Sequence, residues 1–218
     1  MTLPSGRPRQ EYHLRLGSHA WTIAHSGATL SEEDEQRYLS EERSAAPYGL
    51  ALWPAAIALA HELAALGEAL AGTRILELGA GSGLPGIVAA TFGARVVQTD
   101  RQDVALALAR ANAERNGAHT IEHRLADWTA WTDTDRYDLI LGADVVYAPR
   151  LQPSLRAIFD ANLAPGGRLL LSDPFRSASI RFLEELERER WRVSVTKWVL
   201  GGEWGERVIG GYECWKSH

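Results

Sequence analysis

Arg74-Ile-Leu-Glu-Leu-Gly-Ala-Gly-Ser-Gly-Leu-Pro-Gly86 decides how this chain is read. A short apolar run, Arg74 to Leu78, has the length of a buried strand. A cluster of glycines follows, and Leu84 to Phe92 continues with helical spacing. A strand that turns through glycines into a helix is the context of a nucleotide-binding turn. Glycine admits positive φ and a close backbone approach, and the helix N-terminus offers free N–H groups. Gly81, Gly83 and Gly86 spell a literal G-x-G-x-x-G, which alone is a weak pointer to a dinucleotide.

Working outward, the alternation repeats. Strands are predicted over 94–99, 120–125, 137–141 and 168–172, and helices over 104–115, 151–163 and 180–189. Such alternation predicts an α/β doubly wound, Rossmann-like sheet of seven mostly parallel strands. Trp191–Leu200 and Glu206–Trp215 read as strands with no helix between them, so they form a C-terminal antiparallel hairpin. Upstream, Leu52–Leu66 has helical spacing, with Pro54 tolerable in the first turn. Tyr12–Leu16 and Trp21–Ala24 predict a small N-terminal β-hairpin, and Ser31-Glu-Glu-Asp predicts a capped acidic helix reaching about Arg43. Residues 1–47 are thus expected to be an N-terminal extension, as a lid or an acceptor contact, and 48–218 the main domain.

Composition bounds the function. The 218 residues carry a formal net charge of -5, which argues against dedicated nucleic-acid binding. No apolar run approaches the ~18 residues of a membrane span, and the first ten residues lack a signal-peptide core. Cys214 is the single cysteine, so the chain forms no intrachain disulfide and no cysteine-based zinc site, and a cytoplasmic setting is expected. The seven histidines show no metal-ligand spacing, and a monomer without bound metal is expected.

Three carboxylates favour a phosphate-free cofactor over NAD. Glu77 ends the first strand, where it would repel a pyrophosphate and suit a cation. Asp100 ends the second, where a carboxylate takes both hydroxyls of a ribose. Asp127-Trp128 follows the third, placing an acceptor for an adenine amino group beside an indole that covers the ring, or else a helix-capping Asp beside an edge-of-core Trp. S-adenosylmethionine carries an adenosine, an amino-acid tail and a sulfonium, and fits that chemistry.

With Leu52-Trp-Pro-Ala-Ala56, Leu76–Gly86, Thr99-Asp100, Asp127-Trp128 and Gly142-Ala-Asp-Val-Val-Tyr147 in view, the chain resembles the seven-β-strand methyltransferases. More narrowly, it resembles the family-16 branch of protein-lysine and nicotinamide N-methyltransferase-like enzymes, over about residues 48–175. The resemblance implies that Trp53, on the helix before the first strand, lies against S-adenosylmethionine, and that Gly79, Ala80 and Gly81 line its amino-acid and ribose side. It implies that Asp100 holds the ribose, Trp128 packs on the adenine, and Ala143 touches the cofactor near the sulfur. Asp144 and Tyr147 match the family's D-x-x-Y motif. Asp144 would orient the acceptor amine or take its proton through water, and Tyr147 would wall the pocket by cation–π contact. The plainer alternative is an N-cap Asp and a packed Tyr. Tyr48, Asp173, Phe175, Arg176 and Trp204 are further wall candidates, Arg176 as a partner for an acidic acceptor or as a structural residue. The expected activity is methyl transfer to nitrogen, first a protein lysine. The alternatives are a small-molecule N- or O-methyltransferase and, more remotely, an NAD-dependent oxidoreductase.

Overall fold

The structure, a computed structural model, describes residues 10–27, 48–201 and 206–216. The elements in chain order are β1 (Gln10–Leu16), β2 (His19–His25), α1 (Pro54–Leu66), β3 (Arg74–Leu78), α2 (Leu84–Thr91), β4 (Arg95–Asp100), α3 (Asp103–Arg115), β5 (Glu122–Leu125), β6 (Tyr137–Ala143), α4 (Gln152–Asn162), β7 (Leu163–Asp173), α5 (Ser177–Arg188), β8 (Trp191–Leu200) and β9 (Arg207–Lys216). The seven-stranded sheet runs β5-β4-β3-β6-β7-β9-β8. The first five strands are parallel, while β9 pairs antiparallel with both β7 and β8. The order reverses between β3 and β6, so the carboxyl ends of these strands flank the crevice where such folds bind ligands.

Strand alternation sorts the side chains into two cores. Ile75, Val96, Leu139 and Leu141 face α1 and α2, packing with Leu59, Leu63, Ile87 and Val88. Leu76, Leu78, Ile140 and Leu171 face the other way, onto Leu155 and Phe159 of α4 and Phe182 and Leu186 of α5. Both faces of the sheet are covered, which explains why its strands read as continuous apolar runs rather than alternating ones.

Three local readings shift. The segment Pro165-Gly166-Gly167, expected as a turn before a strand, lies inside β7: Tyr137 pairs with Leu163 and Leu139 with Arg168, so the intervening residues bulge out of the ladder. The third predicted strand starts at Glu122 rather than Thr120. Trp53 precedes α1 as its N-cap residue instead of lying within the helix, since Pro54 opens it.

The N-terminal hairpin is part of this body. Leu14, Trp21 and Ile23 are buried in the same core as α1 and α2. Asn112 of α3 holds it: its Oδ1 accepts from Ala24 N (2.8 Å), and its Nδ2 donates to Ala24 O (3.0 Å) and to Ser82 O of the glycine loop (2.8 Å). Asn116 treats Thr22 the same way, at 2.9 Å for both bonds. Two side chains thereby replace a missing strand neighbour. The acidic helix expected over 31–43 lies outside the described residues.

Asn112→Ala leaves three buried backbone groups without partners. At about 1–3 kcal/mol for each unsatisfied group, the variant is expected to lose at least about 2 kcal/mol. Urea unfolding checks this, and an unchanged midpoint contradicts the role.

Candidate cofactor and acceptor site

The glycine loop is built on a buried carboxyl. Glu77 is 2% exposed, and its Oε2 accepts from Gly86 N (3.1 Å) and Gln98 Nε2 (2.7 Å). Gln98 Nε2 also donates to Gly83 O (2.9 Å). The side chain therefore joins β3 and β4 to the first turn of α2, and satisfies one of that helix's free N–H groups. Gly86 is required here, because a Cβ on it would stand 2.4 Å from the Glu77 Oε2 and 2.6 Å from the Gln98 amide. Burial pushes the Glu77 carboxyl up to about 8, against the hydrogen bonds from Gln98 and Gly86, so it is largely protonated at neutral pH. Through Oε2, Glu77 therefore supports the loop from beneath.

Asp100 faces the loop from β4. Its Oδ2 accepts from Gly81 N (3.1 Å) and its Oδ1 from Gln102 N (3.0 Å). The Arg101 N–H also faces this carboxylate, and of its roughly four lone-pair directions at least one is left for a hydroxyl donor. Burial raises the carboxyl, opposed by these backbone bonds. Gly81 is left-handed (φ 54°), and a Cβ there would lie 3.3 Å from Gly49 O, so the short turn Tyr48–Leu50 closes over the loop. Trp128 lies across Gly79: a Cβ on that glycine would stand 3.4 Å from the indole and 3.1 Å from Val145. Asp127 takes the plainer of its two readings as far as one oxygen goes. Its Oδ1 accepts from Thr129 N (2.8 Å) and Thr129 Oγ1 (2.7 Å), an N-cap that holds its carboxyl below the usual range. Ala80 is buried, its N bonded to Thr99 O at 2.9 Å, and Gly83 caps α2 in a left-handed conformation. Trp53 donates Nε1 to Tyr48 O at 3.1 Å, with the two rings 6.3 Å apart.

These residues fit S-adenosylmethionine. The loop 79–83 has small side chains and no cation for a phosphate. Asp100 offers lone pairs for a diol, and the half-buried Trp128 offers an apolar face. Gln102, absent from the sequence reading, adds a buried Oε1 without a partner among the described residues, close to Asp100 around Gly49. Nothing in a lone Gln after Thr99-Asp100 marks it in the sequence.

The candidate acceptor end sits where β6 and β7 finish. Ala143 ends β6, and Asp144 follows in a left-handed conformation (φ 52°), its N bonded to Ser172 O at 2.8 Å. Arg176 clamps the Asp144 carboxylate with both arms, Nε to Oδ1 and NH2 to Oδ2, each at 2.9 Å. Of the two readings of Arg176, this internal pairing follows the structural one. Asp173 lies behind, accepting from Arg176 N (2.6 Å) and Ser179 Oγ (2.7 Å). Tyr147 is 50% exposed, and Phe175, also left-handed (φ 58°), stands beside the site 6.1 Å from the Tyr212 ring. Trp204 lies outside the described residues. A cavity of about 710 Å³ lies at the opposite, amino edge of the sheet. Its charges are spent internally, Arg168 on Glu213 and Lys216 on Asp160, and it takes no part in this site.

The fold and the loop define a class: Rossmann-like, S-adenosylmethionine-dependent methyltransferases. One solved structure of that class, an N-methyltransferase (NodS) from Bradyrhizobium japonicum in complex with S-adenosylhomocysteine, superposes with a TM-score of 0.59 at 19% identity, covering 81% of this chain and 97% of that one. Within the class, the lysine methyltransferase family matches residues 32–189, and the chain belongs to that family. It is 35% identical over 176 residues to the protein N-lysine methyltransferase METTL21A of Danio rerio, covering 77% of this chain and 80% of the relative. It is 34% identical over 147 residues to the histone-arginine methyltransferase METTL23 of Xenopus laevis, covering 65% and 62%.

Two outcomes check this geometry. Asp100→Ala removes a charged acceptor from the cofactor and is expected to cost about 2 kcal/mol, roughly 30-fold in S-adenosylhomocysteine affinity by calorimetry. For Glu77, the folded-state value near 8 lies above the ordinary 4.5, so its contribution to stability is complete below 4.5 and lost as pH rises through about 8. Glu77→Gln keeps an acceptor without the titration, and its melting temperature is expected to vary less over that window than that of the unsubstituted protein.

Proposed function

We propose that this chain transfers the methyl group of S-adenosylmethionine to a side-chain nitrogen of a protein, in the first instance a lysine. The observation that carries this reading is the acceptor end itself. The carboxylate of Asp144, held by Arg176, stands near the exposed ring of Tyr147, with exposed Phe175 next to Arg176 in the chain. Carboxylates accept N–H bonds from amines, and aromatic faces favour methylated ammonium groups. The names of the relatives, N-lysine and histone-arginine methyltransferases, support nitrogen as the acceptor atom.

When bound, S-adenosylmethionine supplies a sulfonium methyl group already activated for displacement. The work of the chain is then orientation. Gly79, Gly81 and Asp100 would hold the amino-acid and ribose portions, and Trp128 would cover the adenine. Asp144 would accept an N–H of the incoming amine, aiming the nitrogen lone pair at the methyl carbon. The amine attacks in its neutral form, so its extra proton leaves to water at the exposed rim before transfer. Tyr147 would shield one side of the nitrogen.

Tritium transfer from labelled S-adenosylmethionine into fractionated lysate proteins tests the reading. Label in protein, released as methyl-lysine after hydrolysis, is the expected result, and label confined to small molecules overturns it. Asp144→Asn is expected to lower that transfer by about 10²-fold or more while S-adenosylhomocysteine affinity stays within about threefold. Equal losses in both would move Asp144 from the acceptor to the scaffold.

A further inference from the structure

Arg176 stands between two carboxylates and serves them unequally. It grips Asp144 at 2.9 Å with both arms, while its Nε is 3.9 Å from Asp173 Oδ2. Asp144 and Asp173 have side chains only 8% and 3% exposed, and among the described residues Arg176 is the cation within ion-pair distance of each. Two buried carboxylates sharing one guanidinium are short of one positive charge, and burying an unmatched carboxylate is costly. Asp173 shows the shortfall: burial and Asp144 push its carboxyl up to about 6, against the hydrogen bonds of Ser179 and Arg176 N. Two further observations converge on the same place. Tyr212 Oη is buried without a partner among the described residues, beside Gly210, the residue opposite Asp173 in the sheet. Asp144 itself and Phe175, which precedes Arg176, are left-handed non-glycine residues, a strained backbone of the kind that persists where a site demands it.

We propose that Asp144, Arg176 and Asp173 form a cation hand-off: the acceptor's own cationic nitrogen takes Asp144, and Arg176 passes to Asp173. Before the acceptor arrives, Arg176 keeps Asp144 from being buried alone. After the hand-off, two carboxylates face two cations, and Tyr212 Oη offers the moved guanidinium a further acceptor. The device selects acceptors that enter as cations, lysine or arginine side chains, over hydroxyls and neutral amides. It makes Asp173 and Arg176 specificity-determining residues, with Asp144 the group that touches the substrate. The inference rests on the acceptor end assigned under the proposed function.

The test needs no identified protein substrate. The probes are two analogues of S-adenosylhomocysteine in which nitrogen replaces sulfur and carries a four-carbon arm, ended by an ammonium in one and by a methyl group in the other. Calorimetry on the full chain is expected to show the ammonium arm bound about tenfold tighter than the methyl arm. Asp173→Asn removes the anion proposed to receive Arg176, and its preference is expected to shrink to within about threefold, with S-adenosylhomocysteine affinity unchanged. Arg176→Gln removes the competitor, and the ammonium arm is expected to bind at least about threefold tighter than to the unsubstituted chain, the methyl arm unchanged. A full preference retained in Asp173→Asn overturns the hand-off and leaves the methyl-transfer reading standing. So does an ammonium arm that binds no tighter to Arg176→Gln, the variant that decides should Asp173→Asn fail to fold. An unsubstituted chain that does not distinguish the two arms overturns the assignment of Asp144 to a cationic acceptor, and the hand-off with it.

Discussion

One carboxyl, that of Glu77, ties the centre of the sheet to the ligand loop. It rises from β3, takes a side-chain amide from β4 and a backbone N–H from the first turn of α2. Three elements are thereby referred to one atom, Oε2. The glycine loop runs between two of them, so its conformation follows from theirs. Gln98 extends the tie to Gly83 O, and Asn112 adds a second tie from the opposite side by holding Ser82 O. A loop made largely of glycine has high conformational entropy to lose. These buried bonds fix it from below, leaving its upper face for a ligand.

The two ends of the site use carboxylates in different ways. Asp100 is held by backbone N–H groups of the loop and of the turn after β4, which orients it without neutralising its charge. Asp144 is held by a side-chain cation, which orients it and balances it. The first arrangement suits neutral hydroxyl donors. The second suits exchange of one cation for another. Both carboxylates stand at carboxyl ends of parallel strands, β4 and β6, on either side of β3. The separation of these two carboxylates is therefore set by strand spacing, a rigid dimension of the sheet.

Much of the fold was legible because strands and helices here carry opposite and regular patterns. The buried strands β3, β4, β6 and β7 read as short apolar runs, and the glycines and capping residues between them marked the turns. The terminal hairpin was legible from the lack of a helix between its strands. The bulge within β7 was not, since Pro165-Gly166-Gly167 has the composition of a turn whether or not the flanking residues stay in the ladder. Asp100, Trp128 and the glycines were legible as a candidate site because their place after particular strands is itself local information.

The side-chain partners were not. Glu77 reads in sequence as a charge at a strand end, and Arg176 as a cation on a rim. The pairing of Glu77 with Gln98 spans 21 residues and that of Arg176 with Asp144 spans 32. The sequence by itself determined the order of elements, the position of the ligand loop and the chemical types gathered at the sheet's carboxyl edge, since periodicity and turn chemistry act over a few neighbouring residues. Only the tertiary structure decided which carboxyl supports the loop from beneath, which faces the glycine loop and which shares a cation. Burial and partnership set the charge of such groups, and both are made by contacts between segments far apart in the chain.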